Sequence, residues 1–165
     1  MLKPILSVLV AGTLFYTSIA TAGSLPQTPV AMVKQAFSDM HLAYHEHESV
    51  NQNPHFVIDD DELGIPLAVY FADCNEARNA CEDIIFYADF GRRGGARINH
   101  ELEEIIREWN HISALYRTTA FRSDGGEVGL DLTMSFVDNI EVVRFNIGAF
   151  LYEVGVMEGL IGRGN

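Results

Sequence analysis

Positive charge is what this sequence has least of. Its 11 lysines and arginines stand against 23 aspartates and glutamates, a net charge of −12 at neutral pH. A chain so acidic is repelled by phosphate, so nucleic acid is not expected as a partner and anionic membrane surfaces are poor ones. Catalytic signatures are missing as well. There is no G-x-S-x-G, and His45-Glu46 and His100-Glu101 have Ser49 and Glu104 where H-E-x-x-H needs its second histidine. Asp59-Asp60-Asp61-Glu62-Leu63-Gly64 fails as a calcium loop. Leu63 stands where an oxygen ligand is required, and Tyr70 where the closing glutamate belongs. The mature chain has no low-complexity tract, internal repeat or linker.

The N-terminus supplies what the rest does not, a hydrophobic run. Lys3 gives one positive charge, Ile5 to Tyr16 is almost wholly apolar, and Ala20-Thr21-Ala22 is the small-residue pattern read by signal peptidase. Ser7, Gly12, Thr13, Thr17 and Ser18 dilute the run below the ~20 apolar residues of a membrane span. Residues 1–22 are therefore expected to be a cleaved signal peptide. The mature chain then begins at Gly23, lies in the periplasm and has no stable membrane insertion. No cysteine follows the cleavage site, so a lipid anchor is not expected.

Residues 23–165 suit one domain with a real core. The two cysteines, Cys74 and Cys81, lie outside the C-x-x-C spacing of redox centres. In an oxidising compartment an even pair is expected to bond, here as a structural disulfide at the base of a short loop.

The pattern of elements predicts an α+β domain. Thr28-Pro29 reads as an N-cap with proline at the first helical position. Val30, Val33, Phe37 and Met40 then follow on one face of a helix over 29–40. Weak strands are expected around Leu42–Tyr44 and at 56–58, and stronger ones over 65–71 and 84–90, the last β-branched and aromatic. Asn99 is a candidate cap for a second helix carrying Ile98, Leu102, Ile105, Ile106 and Trp109 on its apolar stripe, with Trp109 as a core anchor. On the same helix Glu101, Glu104 and Glu108 read as a solvated acidic face. A hairpin follows, with strands over 114–121 and 128–136 joined through Asp124-Gly125. Asp138 and Glu141 resemble a capping box before a long amphipathic helix. The expected order is α-β-β-β-β-α-β-β-α, and strands grouped in hairpins between helices imply an antiparallel sheet.

His41, His45, His47 and His55 are the only cluster with ligand chemistry, able in principle to hold zinc or copper. His45 and His47 would share one face of a strand. Against that, the segment reads as solvated and polar.

From Cys74 to Asp131 the sequence resembles the YbjN domain family of bacterial sensory transduction regulators. The resemblance is carried by Tyr70-Phe71-Ala72-Asp73-Cys74, Cys81, Phe86-Tyr87-Ala88-Asp89-Phe90, Glu108-Trp109-Asn110, Asp124-Gly125 and Asp131-Leu132. Arg107 and Thr119 depart from the pattern, where an asparagine and an aromatic are usual. The resemblance implies a fold like the type III secretion chaperones, a twisted antiparallel sheet with helices beside it, which commonly binds polypeptides or self-associates. It carries over no catalytic residue and no cofactor. The expected function is thus non-enzymatic binding of a protein partner in a regulatory or chaperone-like role, by a chain that can itself be a homodimer. A periplasmic metal-binding protein built on the four histidines is the alternative.

Overall fold

The computed structural model describes residues 28–48, 53–59, 64–75, 80–92, 96–112 and 117–162. The expected signal peptide and the turn at 60–63 lie outside them. The elements are α1 (Pro29–Asp39), β1 (Ala43–Glu48), β2 (Pro54–Asp59), β3 (Leu67–Cys74), β4 (Cys81–Arg92), α2 (Ala96–His111), β5 (Thr119–Arg122), β6 (Glu127–Ser135) and α3 (Ile140–Gly162). The six strands form one sheet in the order β1-β2-β3-β4-β6-β5, every neighbouring pair antiparallel. The class is α+β.

Local side-chain and backbone contacts set both ends of α1 and the start of α3. Thr28 Oγ1 accepts the amide of Ala31 at 3.2 Å ahead of Pro29 at the first helical position. Helix α1 closes where His41 takes the left-handed conformation, φ 58°. The expected caps of the other two helices are corrected. Asn99 lies inside α2, which starts three residues earlier at Ala96. At α3 the cap is Asn139 rather than Asp138. The Asn139 side chain accepts the amide of Glu141 at 3.0 Å, and its carbonyl accepts those of Val142 and Val143. Asn and Asp cap almost equally well, so the backbone turn decides between adjacent candidates.

The core lies between one face of the sheet and the helices. Alternation along the strands buries Phe56 and Ile58, Leu67, Val69 and Phe71, Ile84, Phe86 and Ala88, then Val128, Leu130 and Leu132. Against them pack Met32, Val33, Ala36 and Phe37 from α1, and Val143, Ile147, Phe150, Val154 and Met157 from α3. Phe86 meets Phe150 with ring centroids 5.7 Å apart, and Phe37, Tyr44 and Phe56 close an aromatic triangle under α1. Phe37, Phe56, Phe86 and Phe150 are fully buried, and each contributes roughly 1.5–3 kcal/mol.

The two edges of the sheet are closed differently. β1 is short and turns Glu46 toward the helices, where Lys34 pairs with it at 2.6 Å. An inward charge of that kind discourages pairing with a stray strand. β5 is closed from α2. Asn110 both accepts the amide of Ala120 (2.9 Å) and donates to its carbonyl (2.7 Å), imitating a neighbouring strand. Just before β5, Glu153 of α3 accepts the amides of Arg117 and Thr118 and the Thr118 hydroxyl, at 2.7–3.1 Å. The expected strand over 114–121 is therefore corrected to Thr119–Arg122. Residues 117 and 118 give their amides to a buried carboxylate instead of a ladder, and 113–116 lie outside the described residues.

Candidate functional site

The sheet's second face is the open one. Among the described residues no helix or strand lies over it. The residues that alternate with the core positions point there, and the register sets them in rows across the strands. One row runs His45, Val57, Ala68, Tyr87, Asp131, Thr119 through all six strands. The next runs His47, His55, Tyr70, Ile85, Thr133.

Rings in these rows touch one another in a continuous chain. His47 stacks on His55 at 5.3 Å and His55 on Tyr70 at 5.4 Å. Tyr70 meets Tyr87 edge-on at 6.4 Å, and Tyr87 meets Phe121 at 5.9 Å. The chain thus crosses from β1 to β5. It passes β6 at Gly129, over which the Phe121 ring lies so closely that a Cβ there would sit 2.5 Å from the ring. Gly129 is fixed by that approach, since any side chain would lift Phe121 from the sheet. Tyr70 is 38 % exposed, while Val57, Ile85, Tyr87 and Phe121 are half-buried. Large apolar groups gathered on an outward face are the composition from which docking surfaces are built.

Electrostatics divide the face. The three histidines sit at its β1–β2 end. Asp131 sits at the other, on β6 between Tyr87 and Thr119. Its carboxyl is raised above the ordinary value of 3.8 because the surrounding rings and strands desolvate it. The Tyr87 phenol is likewise raised, first by desolvation and then by the nearby Asp89 carboxylate. The Nδ1 atom of His55, between His47 and Tyr70, is buried without a hydrogen-bond partner.

The structure brings three of the four candidate histidines to one face and leaves the fourth elsewhere. His45, His47 and His55 lie on adjacent strands, whereas His41 is the exposed left-handed residue ending α1. Among the described residues, no three side chains of His, Cys, Asp or Glu are grouped so as to hold a metal ion. Cys74 and Cys81 are direct cross-strand partners of β3 and β4 and are bonded to each other. The ladder continues past them, with the amide of Asn75 donating to the carbonyl of Ala80. This disulfide pins the end of the hairpin that carries Tyr70 and Tyr87.

Trp109 and Asn110 prove structural. The indole is 2 % exposed and donates to the hydroxyl and carbonyl of Thr118. Beside it a cleft of about 290 Å³ is lined by Ile105, Glu108, Trp109, Ile112 and Leu160. A second hollow is lined by Glu104, Arg107, Glu108 and His111, all from α2 alone.

The aromatic chain was not among the sequence expectations. Its signal was present in the unbroken apolar run Ile84-Ile85-Phe86-Tyr87-Ala88, since a strand covered on one side alone should alternate. No family model matches the chain, and no curated protein matches it.

Proposed function

We propose that this is an exported, non-enzymatic protein of the YbjN-like group, with a chaperone-like fold, that works in the periplasm by binding a polypeptide on the open face of its sheet. The observation that carries the reading is the ring chain from His47 to Phe121, an outward apolar surface built across six strands. Rings held by both neighbours lose little freedom on binding, which suits them as contact anchors. The acidity of the chain supports a protein partner over a polyanion. A regulatory or chaperone-like role follows from binding alone and needs no reaction.

The test is capture from periplasmic extract under non-denaturing conditions, with the native chain beside Tyr70→Ala and Ile85→Lys. Partners held by the native chain and lost by both variants are expected; retention by both variants would refute the surface. Export is tested on the same material, whose N-terminus should be Gly23. Full-length chain in a membrane fraction would contradict it. The metal-binding alternative draws support from His45, His47 and His55 sharing one face. Stoichiometric zinc or copper in protein purified without an affinity tag would favour it.

A further inference from the structure

We infer that the polypeptide held on the open face presents an arginine, whose guanidinium lies flat against the Tyr87 ring and bonds the carboxylate of Asp131. The inference rests on the docking surface just proposed and names the chemistry of what covers it.

Among the described residues, charge on the β4–β6 half of that face is all of one sign. Asp83 and Asp89 alternate outward along β4 with Ile85 and Tyr87, and Asp131 stands directly opposite Tyr87 on β6. Asp83 accepts the Ser135 hydroxyl at 3.1 Å, and Asp89 accepts the amide of Gly91 at 2.8 Å. The cations are turned the other way. Every lysine and arginine whose side chain the structure describes either lies on a helix, as Lys34, Arg107 and Arg144 do, or bonds a residue of one, as Arg117 and Arg122 do. An acidic, aromatic surface with no such cation of its own is complementary to a basic partner.

Asp131 is held where a carboxylate is least at ease. Its neighbours across the strands are Tyr87 and Thr119, and burial raises its carboxyl above the ordinary 3.8. None of the described residues sets a cation against it, so the chain alone does not offset the cost of that desolvation. A cation brought by a partner does. A charge-assisted bond made in a half-buried place is stronger than one made in open water.

The rings select which cation. Tyr87 and Phe121 stand together beside Asp131, with centroids 5.9 Å apart. A guanidinium is flat, so it stacks on an aromatic face while its edge makes paired bonds to a carboxylate. An ammonium is a strongly hydrated point charge and gains less from the ring. The same pairing occurs elsewhere in this chain. The Arg117 guanidinium stands 4.7 Å from the centroid of the exposed Phe145 ring and bonds the Asn146 side chain at 2.6 Å.

The surroundings call for a polypeptide rather than a free cation. Small ligands are held in concave sites, and this is an open sheet. Ala68 beside Tyr87, and Tyr70 and Ile85 in the next row, offer apolar contact to residues flanking the arginine. Glu46 and Asn110 guard the two sheet edges, so the segment lies on the face instead of extending the ladder.

The experiment is fluorescence anisotropy on the chain as recovered from the cells that make it. Physiological ionic strength damps the general attraction of any cation to so acidic a protein. The probe is a short fluorescein-labelled peptide of arginine, leucine and glycine, beside versions with lysine or citrulline at the arginine positions. Citrulline keeps the shape of arginine and loses its charge. The arginine peptide should bind with dissociation on the order of tens of micromolar. The lysine version should bind several-fold more weakly, and the citrulline version about tenfold more weakly or worse. Asp131→Asn should weaken the arginine peptide about tenfold, and it removes a desolvated charge, so its folding is not at risk. Tyr87→Leu should bring the arginine peptide down to the affinity of the lysine one. Circular dichroism and melting check both variants, and Asp131→Asn decides alone should the leucine variant fail to fold. Glu101→Gln, the same loss of charge on the exposed side of α2, should change nothing.

A citrulline peptide that binds like the arginine one would overturn the inference, as would full affinity in Asp131→Asn. An equal loss in Glu101→Gln would reduce the attraction to general acidity and overturn it too. Free arginine amide binding as tightly as the peptide would give the site to a small cation instead of a polypeptide. Failure here and failure of the docking surface remain distinguishable. If capture from periplasmic extract depends on Tyr70 and Ile85 but not on Asp131, the arginine falls and the surface stands; if it depends on none of them, both fall.

Discussion

Replacing Trp109 by alanine tests how the second helix is held to the sheet. The ring is 2 % exposed, and its Nε1 donates to Thr118 Oγ1 at 3.1 Å, joining α2 to the residue just before β5. Truncating a buried tryptophan ordinarily costs about 3–5 kcal/mol, through lost transfer energy and the cavity left behind. The ~290 Å³ cleft beside Trp109 decides where in that range the loss should fall. Water can enter the enlarged cleft, so the cavity contribution is reduced, while the Thr118 oxygens lose a donor and regain water in its place. The expected loss is therefore about 3 kcal/mol, at the lower end. In a domain holding roughly 5–15 kcal/mol in all, that is a large fraction, and it should lower the melting temperature by about 6–12 °C. Far-UV circular dichroism in urea is the assay, because the variant has no tryptophan left to fluoresce. Trp109→Phe keeps most of the ring and loses the indole donor, so it should cost about half as much. An unchanged midpoint for Trp109→Ala would refute the packing account. A phenylalanine variant as unstable as the alanine one would show that the hydrogen bond, not the ring, holds α2.

Glu153→Ala should destabilise by about 3 kcal/mol, because it strands the buried amide and hydroxyl of Thr118 and the part-buried amide of Arg117. Glu153→Gln should cost less in the same urea titration, having kept one acceptor. Changing both Cys74 and Cys81 to serine should remove about 2–3 kcal/mol on the loop-entropy estimate. Alkylation and mass measurement of untreated protein should find no thiol, and a double variant that melts like the native chain would refute the structural role. Asp131→Asn should raise stability at neutral pH. Burial holds the native carboxyl above its ordinary 3.8, so the folded chain keeps a proton that the unfolded chain has released, and stability falls as pH rises through that interval. The gain should vanish well below pH 3.8, where both versions are uncharged. A gain that persists in acid would refute desolvation as its cause.

Much of the fold was legible because the helices and central strands carry strong periodic signals. α1 was expected over 29–40 and runs Pro29–Asp39; the strand expected over 128–136 runs Glu127–Ser135. The misses share a physical cause. The cap at Asn139 is set by a turn's backbone, and the late start of β5 by a partner distant in sequence. Glu153 lies 35 residues beyond the Thr118 it binds, and no local pattern announces such a contact. The open face was harder still to read. Its residues are ordinary alternating strand positions, His47, His55, Tyr70, Tyr87 and Phe121, spread over five strands. They become one surface only once the register is known.

The residues that carry the YbjN-like resemblance divide by role, and the division says what that resemblance can be asked to predict. Trp109 and Asn110 close the β5 edge, and the two cysteines pin the hairpin of β3 and β4. Changing any of these would unbalance the sheet whatever the protein binds. The departures fall elsewhere. Arg107 is an exposed residue of α2, its guanidinium within 3.6 Å of Glu104, and Thr119 is an exposed residue of the open face beside Asp131. A sheet edge tolerates few solutions, because every backbone amide left bare invites a stray strand. A contact face tolerates many, since its rings and charges need only match whatever covers it. Residues fixed by the fold can therefore recur among proteins that bind different partners. On the reading proposed here, the identity of the partner would be written in the open face of this chain, where Tyr70, Ile85, Tyr87 and Asp131 stand.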